Sequence, residues 1–88
     1  MKYRIELSNR AARDLDRLSR DVQERMIRRL DQLAEAPHDA HLSAQLTNQG
    51  RLRKSRVGGW RIIFTLDDGD RVLQVVTIER RGQVYRRI

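Results

Sequence analysis

The residues whose types and spacing suit chemistry flank Gly58-Gly59: Lys54, Arg56 and Arg61. If the two glycines form a two-residue turn, Val57 faces Trp60, Arg56 faces Arg61 and Lys54 faces Ile63 across an antiparallel pair. Period-two alternation then puts Lys54, Arg56 and Arg61 on one side of a sheet. Trp60, Ile62, Phe64 and Leu66 point to the other side, where Leu73 and Val75 join them. Directly opposed like charges weaken a strand pair by roughly 0.2–1 kcal/mol. A bound phosphate would supply the missing negative charge, and the planar fork of arginine matches phosphate oxygens. Long arginine stems splaying into water would also relieve the repulsion. The following strand runs into Glu79-Arg80-Arg81-Gly82-Gln83-Val84-Tyr85. Continued regularly, it carries Ile78 and Arg80 to the Arg61 side, with Arg81 and Tyr85 near the end of the same surface. A tyrosine stacking on an unpaired base is worth about 1–3 kcal/mol, so this set suits single-stranded RNA.

Composition points to the same class of partner. The 88 residues carry a formal net charge of +7, and the sequence pI is near 11.2, which favours a polyanion. Among nineteen basic residues only Lys2 and Lys54 are lysines. The chain has no cysteine, which removes disulfides, zinc–thiolate sites and thiol nucleophiles. His38 and His41 follow Pro37 in a loop, and with Asp39 they do not complete a metal site; no metal and no other cofactor is expected. No apolar run is long enough to span a bilayer, and the chain opens on strand-like residues instead of a signal peptide, so a cytoplasmic protein is expected. The length suits one domain over residues 1–88, with a single modest core.

The elements that must position these groups follow from periodicity. Lys2 to Leu7 alternates polar and apolar residues, as a half-buried strand does. Ser8 then reads as a helix N-cap, followed by an apolar stripe of Ala11, Leu15 and Leu18. Arg10, Arg13, Arg17 and Arg20 lie opposite, either as a solvated face or as a contact for ribosomal RNA. Ser19 caps a second helix whose packed side holds Val22, Met26, Leu30 and Leu33, widened by Ile27 and Ala34. Pro37 ends it. Residues 38–50 read as a loop with weak helical content from Leu42 to Leu46. Gly58-Gly59 and Asp68-Gly69 suit two-residue turns with positive φ between three strands, the last spanning Val72 to Ile78. The expected order is strand, helical hairpin and three-stranded antiparallel meander, an α+β fold of two layers.

Two stretches carry a resemblance. One is Leu52-Arg53-Lys54-Ser55-Arg56-Val57-Gly58-Gly59-Trp60-Arg61-Ile62-Ile63-Phe64, a basic strand, glycine turn, aromatic–arginine pair and apolar strand. The other is Val75-Val76-Thr77-Ile78-Glu79-Arg80-Arg81-Gly82-Gln83-Val84-Tyr85-Arg86, which closes on basic residues, a valine and a tyrosine. At this separation, behind a strand and a helical hairpin, they resemble the RelE/ParE toxin superfamily over nearly the whole chain. The resemblance implies the toxin of a type II toxin–antitoxin system, a RelE-type ribonuclease that cuts messenger RNA on the ribosome without metal.

By that resemblance Lys54 falls on the site lysine, Arg61 on the arginine after the aromatic, Arg81 on the late arginine and Tyr85 on the tyrosine. Arg53, Arg56 and Arg80 are expected to contact substrate. A lysine often found two residues before Lys54 is here Leu52, and many relatives have glycine-histidine in place of Glu79-Arg80, which removes a histidine-based acid–base scheme. The implied reaction is attack of a ribose 2′-hydroxyl on the adjacent phosphate, with Lys54 as base, Arg56 and Arg61 clamping the phosphate, Arg81 beside the leaving oxygen and Tyr85 orienting the nucleotide. The implied partners are a cognate antitoxin in a hetero-oligomer, message in the ribosomal A site and ribosomal RNA. A ParE-like inhibitor of DNA gyrase, acting by binding alone, shares the fold; its members generally lack Lys54, Arg61, Arg81 and Tyr85 as a set. A nucleic-acid binding module without toxicity is a third reading.

Overall fold

Ser8 and Ser19 each open a helix. Ser8 Oγ accepts from the Ala11 amide at 2.9 Å and Ser19 Oγ from the Val22 amide at 3.4 Å, satisfying donors that a first helical turn leaves unpaired. The computed structural model describes residues 2–47 and 50–80. In it these caps start α1 (Asn9–Asp16) and α2 (Arg20–Glu35). The strands are β1 (Arg4–Leu7), β2 (Ala44–Gln45), β3 (Arg53–Val57), β4 (Trp60–Asp67) and β5 (Val72–Arg80). They form one sheet in the order β1-β5-β4-β3-β2. β1 runs parallel to β5, and the other neighbours are antiparallel.

The core lies between the helices and one sheet face. Ala11, Met26, Leu30 and Leu33 pack with Val57, Ile62, Phe64, Leu73, Val75 and Ile78, and Leu15, Leu18 and Val22 border them. The α+β order read from the sequence is therefore observed. Ile27 departs from it, at 50% exposed. One residue beyond Met26 is a rotation of about 100°, which carries Ile27 off the Met26–Leu30–Leu33 seam.

Three local expectations are corrected. Ala44 and Gln45, read as loop with helical content, pair with Lys54 and Arg53 as a short strand, because the edge of β3 offers unpaired backbone groups. The Gly58-Gly59 turn keeps its two residues but only Gly58 has positive φ, at 59°. Asp68-Gly69 is not a two-residue turn: Asp67 pairs with Val72, leaving residues 68–71 as the loop. Its left-handed residue is Arg71, φ 56°, and the Asp67 side chain accepts the Asp70 amide at 3.1 Å, closing a wider turn.

The register of β4 on β5 shifts between Ile63 and Phe64, whose partners are Thr77 and Val75. Val76 is the extra residue of a β-bulge, which changes the side-chain parity of everything after it. α1 fastens this bulge. Ser8 Oγ donates to the Val76 carbonyl at 2.7 Å, and Asp14 Oδ2 accepts from Thr77 Oγ1 at 2.9 Å and the Ile78 amide at 3.0 Å. At the other end of the sheet, Tyr3 Oη donates to Asp68 Oδ1 at 2.6 Å, with His38 Nε2 3.1 Å from the same oxygen.

Ser8→Ala removes a cap and the tie to Val76 together, so it should cost about 1–2 kcal/mol, read as a lower urea midpoint at unchanged m value. The Tyr3 hydroxyl, and then His38, hold the Asp68 carboxyl below the usual carboxylate range. A lowered folded-state value adds stability above the ordinary Asp range and loses it as pH falls through the lowered value. Wild type should therefore exceed Asp68→Asn in melting temperature near neutrality, with the gap closing in acid.

Candidate functional site

On the sheet face turned away from the helices, register sets Arg56 of β3, Arg61 of β4 and Glu79 of β5 in one cross-strand row. Lys54, Ile63 and Thr77 form the next row. Arg61 turns to Glu79: Nε and Nη2 each lie 2.9 Å from Glu79 Oε1. The pair is mostly enclosed, its side chains 15% and 17% exposed. The Arg56–Arg61 conflict expected from the sequence is thus present in register and answered within the chain by a carboxylate from the third strand.

Beyond the two residues of β2, the edge of β3 is open, and α2 reaches it through Arg29. Arg29 Nη1 donates to Ser55 Oγ at 2.9 Å and to the Arg56 carbonyl at 2.6 Å, while Nε donates to Gln32 Oε1 at 3.0 Å. This strut fixes the backbone that presents Lys54 and Arg56. A cleft of about 360 Å³ opens beside it, lined by Arg29, Lys54, Arg56 and residues Ala40, His41, Leu42, Ser43 and Ala44. His41 is exposed, its Nδ1 3.2 Å from Asp39 Oδ1, and hydrogen bonds from the His41 backbone and then its ring hold the Asp39 carboxyl below its usual range. Three cations and an imidazole line this space, which suits an anion of phosphodiester kind and includes groups able to move a proton.

Of the residues singled out from the sequence, Lys54, Arg56 and Arg61 share one face in the register that the glycine turn implies. Arg53 faces the helices instead. It pairs with Phe64, its Nη2 donates to Ser43 Oγ at 2.9 Å, and its Nε is buried without a hydrogen-bond partner among the described residues. Arg80, expected on the Arg61 side, lies on the other one. The Val76 bulge reverses parity, so Arg80 pairs with Trp60 and sets its guanidinium 5.5 Å from the indole centroid, and the buried Ile78 moves with it. Arg81 and Tyr85 lie outside the described residues.

Sequence reasoning missed Arg29 and Glu79, and it left His41 without a role at the site. Arg29 follows Met26 by three and precedes Leu33 by four, a helical spacing that marks a flank of the packed seam. Glu79 was betrayed by the buried series Leu73, Val75, Ile78, whose last interval is three where a regular strand has two. Nothing in the local sequence marks His41. Among the described residues, no three or more His, Asp or Glu gather as a metal site. No helix among them is long and apolar enough to cross a membrane.

A five-stranded sheet covered on one side by a helical hairpin is a fold this chain shares with several solved toxins. The chain superposes with TM-score 0.82 on a chain of the RelBE2 toxin–antitoxin complex of Mycobacterium tuberculosis, at 18% identity, covering 92% of this chain and 100% of that one. It matches the archaeal RelE–RelB complex of Pyrococcus horikoshii with TM-score 0.80 at 23% identity, covering 94% and 99%. The isolated RelE toxin of E. coli matches with TM-score 0.78 at 21% identity, covering 97% and 93%. In sequence, the protein Toxin RelE of M. tuberculosis is 30% identical over 86 residues, 96% of this chain and 87% of that protein. The family model of the ParE toxin of type II toxin–antitoxin systems matches residues 5–85. The chain belongs to the RelE/ParE superfamily of type II toxin–antitoxin toxins.

Replacing Arg29 by Gln strands the Arg56 carbonyl and Ser55 hydroxyl. The expected loss is about 1–3 kcal/mol, measurable by urea unfolding followed through Trp60 fluorescence.

Proposed function

We propose that this toxin is a ribosome-dependent endoribonuclease that cuts messenger RNA without metal. The observation that carries the reading is the placement of Lys54, Arg56 and Arg61 on the helix-free face, beside a cleft of about 360 Å³ that Arg29, Lys54 and Arg56 line. Likeness to the protein named Toxin RelE supports it. A ribose 2′-hydroxyl attacks the adjacent phosphate, leaving a cyclic phosphate and a 5′-hydroxyl. Arg56 and Arg61 stabilise the charge that builds on the phosphorus oxygens, and Lys54 takes part in proton transfer. By the resemblance, Arg81 and Tyr85 complete the site at the leaving oxygen and the base.

The ribosome supplies what a small open face lacks. Holding the message in the A site in an attack-ready geometry can contribute about 7–11 kcal/mol of barrier reduction. Exposed Arg10, Arg13, Arg17 and Arg20 give ribosomal RNA a set of cations to meet. Such an enzyme works in the cytoplasm. Solved relatives include complexes of RelE with RelB, and this chain is held in check by a cognate antitoxin in a hetero-oligomer of the same kind.

A second reading, inhibition of DNA gyrase by binding alone, comes with the resemblance to ParE, whose family model this chain matches. The two separate in one comparison: purified protein is added to a programmed translation reaction, message ends are mapped by primer extension, and gyrase supercoiling is assayed beside it. Discrete cuts that require ribosomes, slowed about 10²–10³-fold by Arg61→Ala and by Lys54→Ala, are expected. Intact message with supercoiling blocked would establish the gyrase reading instead.

A further inference from the structure

We propose that Glu79 is the proton acceptor of this reaction and that Lys54, as an ammonium, protonates the leaving oxygen; the assignment rests on the ribonuclease reading above. Glu79 stands in the same row as Arg56 and Arg61. Both contacts from Arg61 go to Oε1, and among the described residues Oε2 has no hydrogen-bond partner. A guanidinium has five N–H donors. With the Nε hydrogen directed at Glu79 and Nη2 in ion-pair contact with it, the guanidinium keeps its Nη hydrogens for a phosphate oxygen. One guanidinium bridging carboxylate and phosphate sets Oε2 alongside the phosphate, where the 2′-hydroxyl of the preceding ribose lies.

The two proton-transfer groups must approach from opposite sides of an in-line displacement. Glu79 is on β5 and Lys54 on β3, flanking Arg61 on β4. Strands about 4.8 Å apart separate β3 from β5 by roughly 10 Å, room for a phosphodiester between two long side chains. The 2′-hydroxyl gives its proton to Glu79 Oε2 as its oxygen bonds to phosphorus. The bond from phosphorus to O5′ breaks, its electron pair goes to O5′, and O5′ takes a proton from Lys54 Nζ. Water then returns a proton to Lys54 and removes one from Glu79.

The charged groups beside Glu79 are Arg61 from β4 and, next along the same cross-strand row, Arg56 on β3; on α1, Asp14 holds the preceding Thr77 hydroxyl and Ile78 amide and has Arg10 Nε at 4.0 Å. The test measures single-turnover cleavage of ribosome-bound message across a pH series by the full chain and by Glu79→Gln and Glu79→Asp, with ribosome binding and melting temperature followed in parallel. Glu79→Gln keeps a hydrogen bond to Arg61 and removes the base. It should slow cleavage about 10²–10⁴-fold at unchanged ribosome affinity, with a melting temperature lowered by loss of the Arg61 counter-charge but still above the assay temperature, and abolish the acid limb of the pH–rate profile. Glu79→Asp should recover part of the rate and restore that limb. A Glu79→Gln protein that cuts as fast as wild type, or faster, would show the carboxylate to be only a counter-ion and overturn the proposal. So would a loss of rate no larger than the loss of folded protein at the assay temperature and not recovered by Glu79→Asp. Absence of cutting by wild type would overturn the ribonuclease reading itself, a result distinct from these.

Discussion

Ser8, Asp14 and the extra residue Val76 form one joint on which both faces of the sheet depend. Ser8 holds the bulged carbonyl, and Asp14 holds the Ile78 amide, on the stretch of β5 that β1 does not cover. Without the bulge, Val75, Thr77 and Glu79 would share the core side, and Ile78 and Arg80 would turn outward. With it, Ile78 closes the core under the helices while Glu79 arrives opposite Arg61. A single inserted residue thus serves packing and electrostatics together. The helix that fastens it belongs to the opposite end of the chain.

The charge pattern of the open face follows from this arrangement. At the Trp60 end stand Lys54, Arg56 and Arg61, moderated by one carboxylate. At the Asp67 end lies a separate concavity lined by Glu6, Asp67, Asp68 and Asp70 among Arg4 and Arg51. A polyanion approaching a net charge of +7 is drawn to the protein generally but meets acid at one end of the sheet, so the field favours the cationic end.

Much of this was legible in the residues. The two serine caps, the apolar seam of α2 and the pairing of Lys54, Arg56 and Arg61 around Gly58-Gly59 rest on interactions between residues close in sequence, where turn geometry and periodicity decide the outcome. What escaped depends on distant partners. Alternation marked β1 as a half-buried strand without saying which edge it would join. β2 is too short to carry a period. The loop after Asp67 was set by its side chain more than by Gly69, and the glutamate opposite Arg61 was hidden because β5 was read as regular. Arg29 acts on a strand far along the chain, and only the assembled fold shows what it reaches.

The bond from Ser8 to Val76 joins residues 68 apart in sequence, and that from Tyr3 to Asp68 joins residues 65 apart. An eight-residue helix such as α1 is too short to persist alone in water. Closing so long a segment costs chain entropy before any contact compensates for it, which makes such steps late and slow in folding. The meander around Gly58-Gly59 can zip early from neighbouring residues, whereas α1 and β1 must wait for β5. A folding intermediate of this kind would display Lys54, Arg56 and Arg61 before Glu79 is locked in register beside them. Such a half-built chain would bare its cations to any polyanion before the carboxylate that moderates them is in place.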